Sequence, residues 1–325
     1  MLPLRRGHVR AALAAATALL LTASAACGPG GGGASGGDPD DLDLGVIPII
    51  DVAPIRLGIE QGFFAEEGLT VSMTESQGGA AIVPAVTSGS LDIGYSNIVS
   101  LLLARSQDVP VRMVSVGARA SADALDDGSG QLMTADPGLT DVADLRGGTV
   151  AVNTLLGINE VAVRTGLTRH GLSGDDVSLV EVPIPNMPAA LAAGDVDAAM
   201  LSEPFITIAE GQGAHAVPVS YAAMGQGLPI AGWFTSESFA AEHPDVVDRF
   251  ATALERSLRY AEEHPDEARA VLDDYLDLAE GVSAQVTLPG WDPRTDAAEL
   301  EDLARLTTEA GLIENTDPLD GLLAP

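Results

Sequence analysis

Asp51 and Glu203 are the acids with most to offer chemically. Each follows an apolar run and stands beside a proline that can open a helix, in Asp51-Val52-Ala53-Pro54 and Ser202-Glu203-Pro204. A carboxylate there either caps its helix or pairs with an amino group or protonated ring nitrogen of a bound molecule. Other helix mouths carry small or polar residues: Gln77-Gly78-Gly79-Ala80, Ser96-Asn97, the loop Asn153-Thr154-Leu155-Leu156-Gly157-Ile158-Asn159, and Asn186-Met187-Pro188. Helix N-termini expose unpaired N–H groups and partial positive charge. Glycine lets a ligand approach the backbone closely. Several such mouths meeting in one cleft would hold a carboxylate, sulfonate or nitrate without any lysine. The candidate ligand contacts are Asp51, Gly79, Ala80, Ser96, Asn97, Thr154, Gly157, Ile158, Asn186, Glu203 and Trp233. The indole of Trp233, with Phe234 beside it, could stack on a ligand, or both rings could pack in a core. Ser96, Asn97, Asn153 and Thr154 could touch a ligand or equally be plain helix caps.

Signals for catalysis are weak. No histidine neighbours a serine nucleophile in a recognisable turn, and Gly-x-Ser-x-Gly is absent. Gly78-Gly79 does not make a nucleotide fingerprint. The two Glu-His-Pro-Asp stretches, Glu242 to Asp245 and Glu263 to Asp266, read as helix starts, with proline at the first helical position and an acid favouring the dipole. No histidine pair has ligand spacing, and Cys27 is the sole cysteine, so neither a cysteine-rich metal site nor an intramolecular disulfide is expected. The reading calls for no cofactor, no metal and no enzyme.

These residues need elements to hold them, and the chain supplies them twice. Ala85-Val86-Thr87-Ser88-Gly89-Ser90-Leu91-Asp92-Ile93-Gly94-Tyr95-Ser96-Asn97 aligns with Ala190-Leu191-Ala192-Ala193-Gly194-Asp195-Val196-Asp197-Ala198-Ala199-Met200-Leu201-Ser202. Each copy reads as a helix end, a glycine stop, a short buried strand and a polar residue opening the next helix. Strands are expected at 44–50, 70–73, 91–95, 111–117, 131–134, 149–152, 179–182, 196–200, 217–220 and 232–235, alternating with helices, and helices dominate from Pro244 onward (244–263, 265–277, 296–310). That alternation predicts an α/β fold with mostly parallel sheets flanked by helices. Ligands of such sheets bind beyond the carboxyl ends of the strands. Two similar units predict two lobes with a ligand cleft between them.

The N-terminus reads as an address. Arg5, Arg6 and Arg10 precede an apolar run from Ala11 to Leu21, and small residues lead to Cys27. This is a secretory signal, too short to span a bilayer comfortably. Cys27 sits where a bacterial lipobox places its lipidated cysteine, although Ser24 departs from the usual Leu, Val or Ile. A glycine-rich tether follows. The formal net charge is −31, and all 16 basic residues are arginine, which excludes a basic face for nucleic acid.

The run from Asp51 to Gly68 with its Gly-Phe-Phe-Ala-Glu-Glu-Gly-Leu, then Gln77-Gly78-Gly79, Ser88 to Gly94, Asp141 to Gly147, Gly194 to Ala199, Glu203-Pro204-Phe205 and His243-Pro244 resembles, in order, the substrate-binding proteins of ABC importers. The branch is that of nitrate, alkanesulfonate, taurine and thiamine-pyrimidine-precursor binders, and the likeness covers roughly Leu44 to Leu276. The resemblance implies a two-lobed, type II periplasmic-binding-protein-like fold. Residues 1–27 would be signal and lipobox, 28–41 the tether, 42–117 plus 221–325 one lobe, and 118–220 the other. It implies a monomeric extracytoplasmic lipoprotein, anchored to the outer face of the membrane through Cys27, that closes on a small-molecule solute and docks on a membrane permease. Asp51 and Glu203 would suit a zwitterionic or nitrogen-bearing solute, and Arg119 is the best candidate for an anion clamp. The alternatives are an enzyme on the same scaffold, resembling pyrimidine synthases (whose cysteine-rich iron motifs this chain lacks), and a receptor not coupled to transport.

Overall fold

The computed structural model describes residues 38–294 and 296–323. The signal, Cys27 and most of the tether lie outside these residues. Ten strands form: β1 (Asp41–Val46), β2 (Thr70–Glu75), β3 (Ile93–Asn97), β4 (Val111–Arg119), β5 (Gln131–Thr134), β6 (Thr149–Val152), β7 (Ser178–Glu181), β8 (Ala198–Leu201), β9 (His215–Ser220) and β10 (Pro229–Ser236). They make two separate five-stranded sheets, ordered β2-β1-β3-β10-β4 and β7-β6-β8-β5-β9. In the first sheet only β10 runs antiparallel to its neighbours, and in the second only β5 does. Both are the strands that arrive from the opposite half of the chain. Helices flank both sheets, as expected of mostly parallel sheets whose strands are buried on each face.

The sequence repeat occupies equivalent places. β3 and β8 are the central strands of their sheets. Each follows a helix closed by a left-handed glycine, Gly89 (φ 72°) or Gly194 (φ 73°), a conformation only glycine adopts without strain. The aspartate before each strand clips it to its neighbour. Asp92 Oδ2 accepts from Asp43 N at 2.8 Å, and Asp197 Oδ2 accepts from Thr149 N at 2.7 Å. A threonine on the antiparallel strand completes each clip: Thr235 Oγ1 donates to Asp92 O, and Thr134 Oγ1 to Asp197 O, both at 2.6 Å.

Two expected elements differ. The run 44–50 does not continue as strand: β1 ends at Val46, and Ile50–Val52 is a 3₁₀ turn leading into helix Ala53–Glu60. Pro48 has no N–H to give a ladder, so the chain leaves the sheet there. The expected helix 265–277 stops as an α-helix at Ala270 and passes into a 3₁₀ turn, Val271–Asp274. The long helix Pro244–Glu263 matches expectation and buries Val246, Phe250, Ala253, Leu254, Ser257, Leu258 and Ala261, one stripe of a 3.6-residue period. It packs so closely on helix Ala53–Glu60 that a Cβ on Gly58 would come 1.8 Å from Ser257 Oγ.

Two segments, 120–130 and 221–228, carry the chain between the sheets. Ala120 N donates to Leu228 O at 2.9 Å, and Tyr221 N to Gly130 O at 3.1 Å. The buried Asp127 carboxylate ties them, accepting from Ser121 N and Ser129 N, both at 3.1 Å, and from Ala222 N at 2.6 Å. A third strip lies alongside: Arg119 and Gly290 exchange backbone hydrogen bonds of 2.8 and 3.2 Å. Helix Ala297–Glu309, further on, contacts helices Ile98–Ser106 and Ile158–Arg169, one from each sheet's surround.

Candidate functional site

The carboxyl ends of β1, β3, β6 and β8 point their loops at one another. The loop after β1 carries Ile47, Ile49 and Asp51, β3 ends in Tyr95 and Asn97, and the loop after β6 carries Asn153, Ile158 and Asn159. Together with Ser129, Ile184, Ser202, Tyr221, Ile230 and Ala231 they enclose a cavity of about 30 Å³ between the sheets. That is about the share of one water molecule and far below the several hundred Å³ of a drug-sized site, so these walls take an organic solute only by moving apart. Its walls are isoleucines and its fittings amides, hydroxyls and one carboxylate.

Asp51 is 4% exposed. Its Oδ2 accepts from the Tyr95 hydroxyl at 2.8 Å. Its Oδ1 is buried with no hydrogen-bond partner among the described residues. Burial pushes this carboxyl up to about 7; the Tyr95 bond opposes the rise and nearby Asp127 adds to it. Tyr95 is raised in turn by burial and by Asp51. Asp127 is pushed up to about 6 by burial, against the three backbone N–H groups it accepts. Across the cavity, Tyr221 donates to Asn159 Oδ1, and Asn159 Nδ2 donates to Asn153 Oδ1 at 2.8 Å. Ser202 Oγ donates to Ser129 O at 2.6 Å.

Of the candidates named from the sequence, Asp51, Asn97 and Ile158 line this cavity. Asn97 also caps its helix, accepting from Ser100 N at 2.9 Å through Oδ1, so capping and lining share one side chain. Ser96 is buried beside it, against Gly79, where a Cβ would meet its Oγ at 1.8 Å. Ala80 and Thr154 line an adjoining opening with Gln77, Gly78 and Asn153. Here the halves meet closely: a Cβ on Gly78 would lie 2.7 Å from Thr154 Oγ1, and one on Gly157 would lie 3.8 Å from Asn97 Nδ2. Asn186 is exposed, two residues beyond the lining residue Ile184.

Glu203 and Trp233 stand elsewhere. The Glu203 carboxylate accepts from Thr207 N at 3.0 Å, Thr207 Oγ1 at 2.9 Å and Thr287 N at 3.2 Å, and burial holds it at about 7. Its backbone O accepts from Ile50 N at 2.9 Å, beside Asp51. Glu203 therefore joins β8, the loop after β1 and the C-terminal strip. Trp233 is fully buried between Tyr95 and Phe250, with ring centroids 5.2 and 5.9 Å away, so it backs the ring that holds Asp51. Arg119 spends its guanidinium on Glu299 and the carbonyls of Gly227, Asp292 and Arg294, outside the cavity. The sequence reading singled out the loop from Asn153 to Asn159 but not the side-chain pairing of its two ends, and it missed Tyr95 and Tyr221. Tyr95 had a signal, since it is the aromatic residue before Ser96-Asn97 at the end of a repeated strand.

The family described as "NMT1/THI5 like" matches residues 49–268. The "Taurine-binding periplasmic protein" of Escherichia coli (strain K12) is 28% identical over 201 residues, 61% of this chain and 60% of that protein. The "4-amino-5-hydroxymethyl-2-methylpyrimidine phosphate synthase" of Aspergillus parasiticus is 25% identical over 240 residues, 70% of this chain and 66% of that protein. The chain thus spans between 60% and 66% of these relatives' lengths. The solved structure of the alkanesulfonate-binding protein from Xanthomonas axonopodis pv. citri, bound to MOPS, superposes with a TM-score of 0.72 at 18% identity, over 89% of this chain and 99% of that one. The likeness is one of fold: two helix-flanked mixed sheets of the periplasmic-binding-protein type.

Proposed function

The chain belongs to the NMT1/THI5-like family, and from that premise we propose that it is the extracytoplasmic solute-binding protein of an ABC importer. It captures a small organic solute, sulfonate- or taurine-like or a nitrogen heterocycle, by hinge closure and delivers it to a membrane permease. One lobe comprises residues 42–117 and 221–325, the other 118–220. The observation that carries this reading is a cavity, with an opening adjoining it, whose walls come from strand-end loops of both sheets. Asp51, Asn97 and Ile158 contact the solute. Gly79, Ala80, Ser96, Thr154 and Gly157 shape its approach, while Asn186, Glu203 and Trp233 support the walls. The protein acts as a monomer, held to the outer face of the membrane by a lipid on Cys27; incorporation of an acyl label should vanish in Cys27→Ala, and unchanged labelling removes the anchor.

The test of function is mass spectrometry of the small molecule that co-purifies, followed by calorimetry and solution scattering with that compound. One solute bound at one site, with a smaller radius of gyration, is expected. A protein whose scattering and heat stay flat across sulfonates, amines and pyrimidines is not a solute receptor. A second reading, catalysis on this scaffold, has Asp51 in its favour, since a buried carboxyl raised to about 7 lies near the operating pH of a general acid or base. Turnover of a pyrimidine precursor by the purified chain would establish it.

A further inference from the structure

The cavity is asymmetric in what it offers a guest, and the asymmetry is one of donors against acceptors. Its hydroxyl and amide donors are largely committed within the protein: Tyr95 to Asp51, Tyr221 to Asn159, Asn159 to Asn153, and Ser202 to the Ser129 carbonyl. Asn97 and Asn153 keep their Nδ2 groups, because the cap of the first and the Asn159 bond of the second use only Oδ1. The conspicuous unspent group is an acceptor, the buried Oδ1 of Asp51. No arginine or histidine lines the cavity, and the chain has no lysine. The guanidinium of Arg56, on the helix that follows Asp51, lies over the Tyr275 ring at 4.0 Å and pairs with Glu75 at 3.1 Å. An anion placed here would meet few free donors, a carboxylate, and the field of a chain with a formal net charge of −31. A buried carboxylate oxygen left unpaired is costly, and a cationic N–H donor is the partner that relieves it best.

Resting on the receptor reading above, we infer that the solute presents a cationic nitrogen to Asp51, as a protonated amine, amidine or guanidine, and that anions without such a group are refused. Asp51 is the specificity-determining residue. The site thereby differs in sign from one built for nitrate or a simple sulfonate. The groups facing Asp51 agree. Tyr95 donates to it, Asp127 is a second acid, and Tyr221 and Tyr275 are neutral phenols, the latter spending its proton on Ile49 O at 2.9 Å.

The probes are guanidinium, urea and nitrate, three planar ions or molecules of similar size that differ in charge, with methanesulfonate as a fourth. Each is titrated into the full chain at 0.15 M salt, where exposed charges more than about 8 Å apart are screened. Guanidinium should bind tightest and nitrate and methanesulfonate weakest. Asp51→Asn, nearly isosteric, should lower guanidinium affinity at least tenfold while leaving urea nearly unchanged. Without any substitution, guanidinium affinity should rise roughly tenfold per pH unit up to about 7 and then level off, because the ionised Asp51 is the binding form. Asp127, at about 6, titrates inside the same window, so Asp51→Asn must also flatten the profile. Nitrate or methanesulfonate binding more tightly than guanidinium, or guanidinium affinity indifferent both to pH and to Asp51→Asn, overturns the inference. If methanesulfonate is the solute that closes the lobes in scattering, the inference falls and the receptor reading stands; if nothing closes them, the receptor reading falls too.

Discussion

Asp51 owes its state to one neighbour. Tyr95 is its single hydrogen-bond donor among the described residues, so Tyr95→Phe leaves both carboxylate oxygens bare in a buried place. Its carboxyl should then titrate above 7, and the unliganded protein should lose about 1–3 kcal/mol at pH 8. At pH 5, where Asp51 is protonated in either protein, the loss should shrink. Chemical denaturation at the two pH values measures both, and an equal loss at each would show that Tyr95 acts through packing alone. Glu203 shows why a residue's role escapes local reading. It looks like Asp51 in sequence, an acid at a strand end before a proline. Its carboxylate is nevertheless claimed by Thr207 and by Thr287, which lies far along the chain. Nothing near Glu203 announces Thr287, whereas Asp51 is left with an oxygen to spare because no such partner reaches it.

At the scale of elements, the strand-end loops must close on each other for the cavity to exist. Gly78 tests this cleanly. Its φ of 174° is extended backbone open to any residue, yet a Cβ there would lie 2.7 Å from Thr154 Oγ1 on the opposite half. Gly78→Val should therefore weaken solute binding about tenfold through overpacking, with little change in the melting temperature of the unliganded protein. Calorimetry beside thermal melting checks it, and unchanged affinity would mean that these loops need not meet. The elements themselves were largely legible. The aligned stretches around Gly89 and Gly194 announced two equivalent helix–strand units, and both strands are central in their sheets. The matching clips by Asp92 and Asp197 lay inside those stretches, but their partners Asp43 and Thr149 come from other strands. Pairing of that kind is set by tertiary register, so it could not be read locally. Trp233 was placed on the right strand, but which face it presents depends on β10 lying between β3 and β4.

Across the whole molecule, three buried acids near the junction of the sheets share one tendency. Asp51, Asp127 and Glu203 are raised to about 7, 6 and 7 from ordinary values of 3.8, 3.8 and 4.5. A carboxyl raised by folding stabilises the native state below its unfolded value, and that stability is lost as pH climbs through the folded value. The unliganded protein should thus melt at progressively lower temperature from about pH 4 to about pH 7 and change little beyond. Asp292, held at about 2 by Arg294, acts in the opposite sense, but only below about pH 4. Differential scanning calorimetry across the range tests this; a melting temperature that stays flat between pH 5 and 7 would mean that the three acids ionise as freely in the fold as in the unfolded chain.

The strip at Gly290, bonded edgewise to Arg119 beside the two covalent connections, bears on how such a molecule can move. A pair of ribbons bends easily but also swivels. A third ribbon fastened along their side resists torsion while still permitting flexure, as a door hung on a wide leaf swings yet does not wobble. On the hinge closure proposed above, this strip would confine the mouth to a single arc, returning Asp51 and Asn159 to the same opposition at each closure.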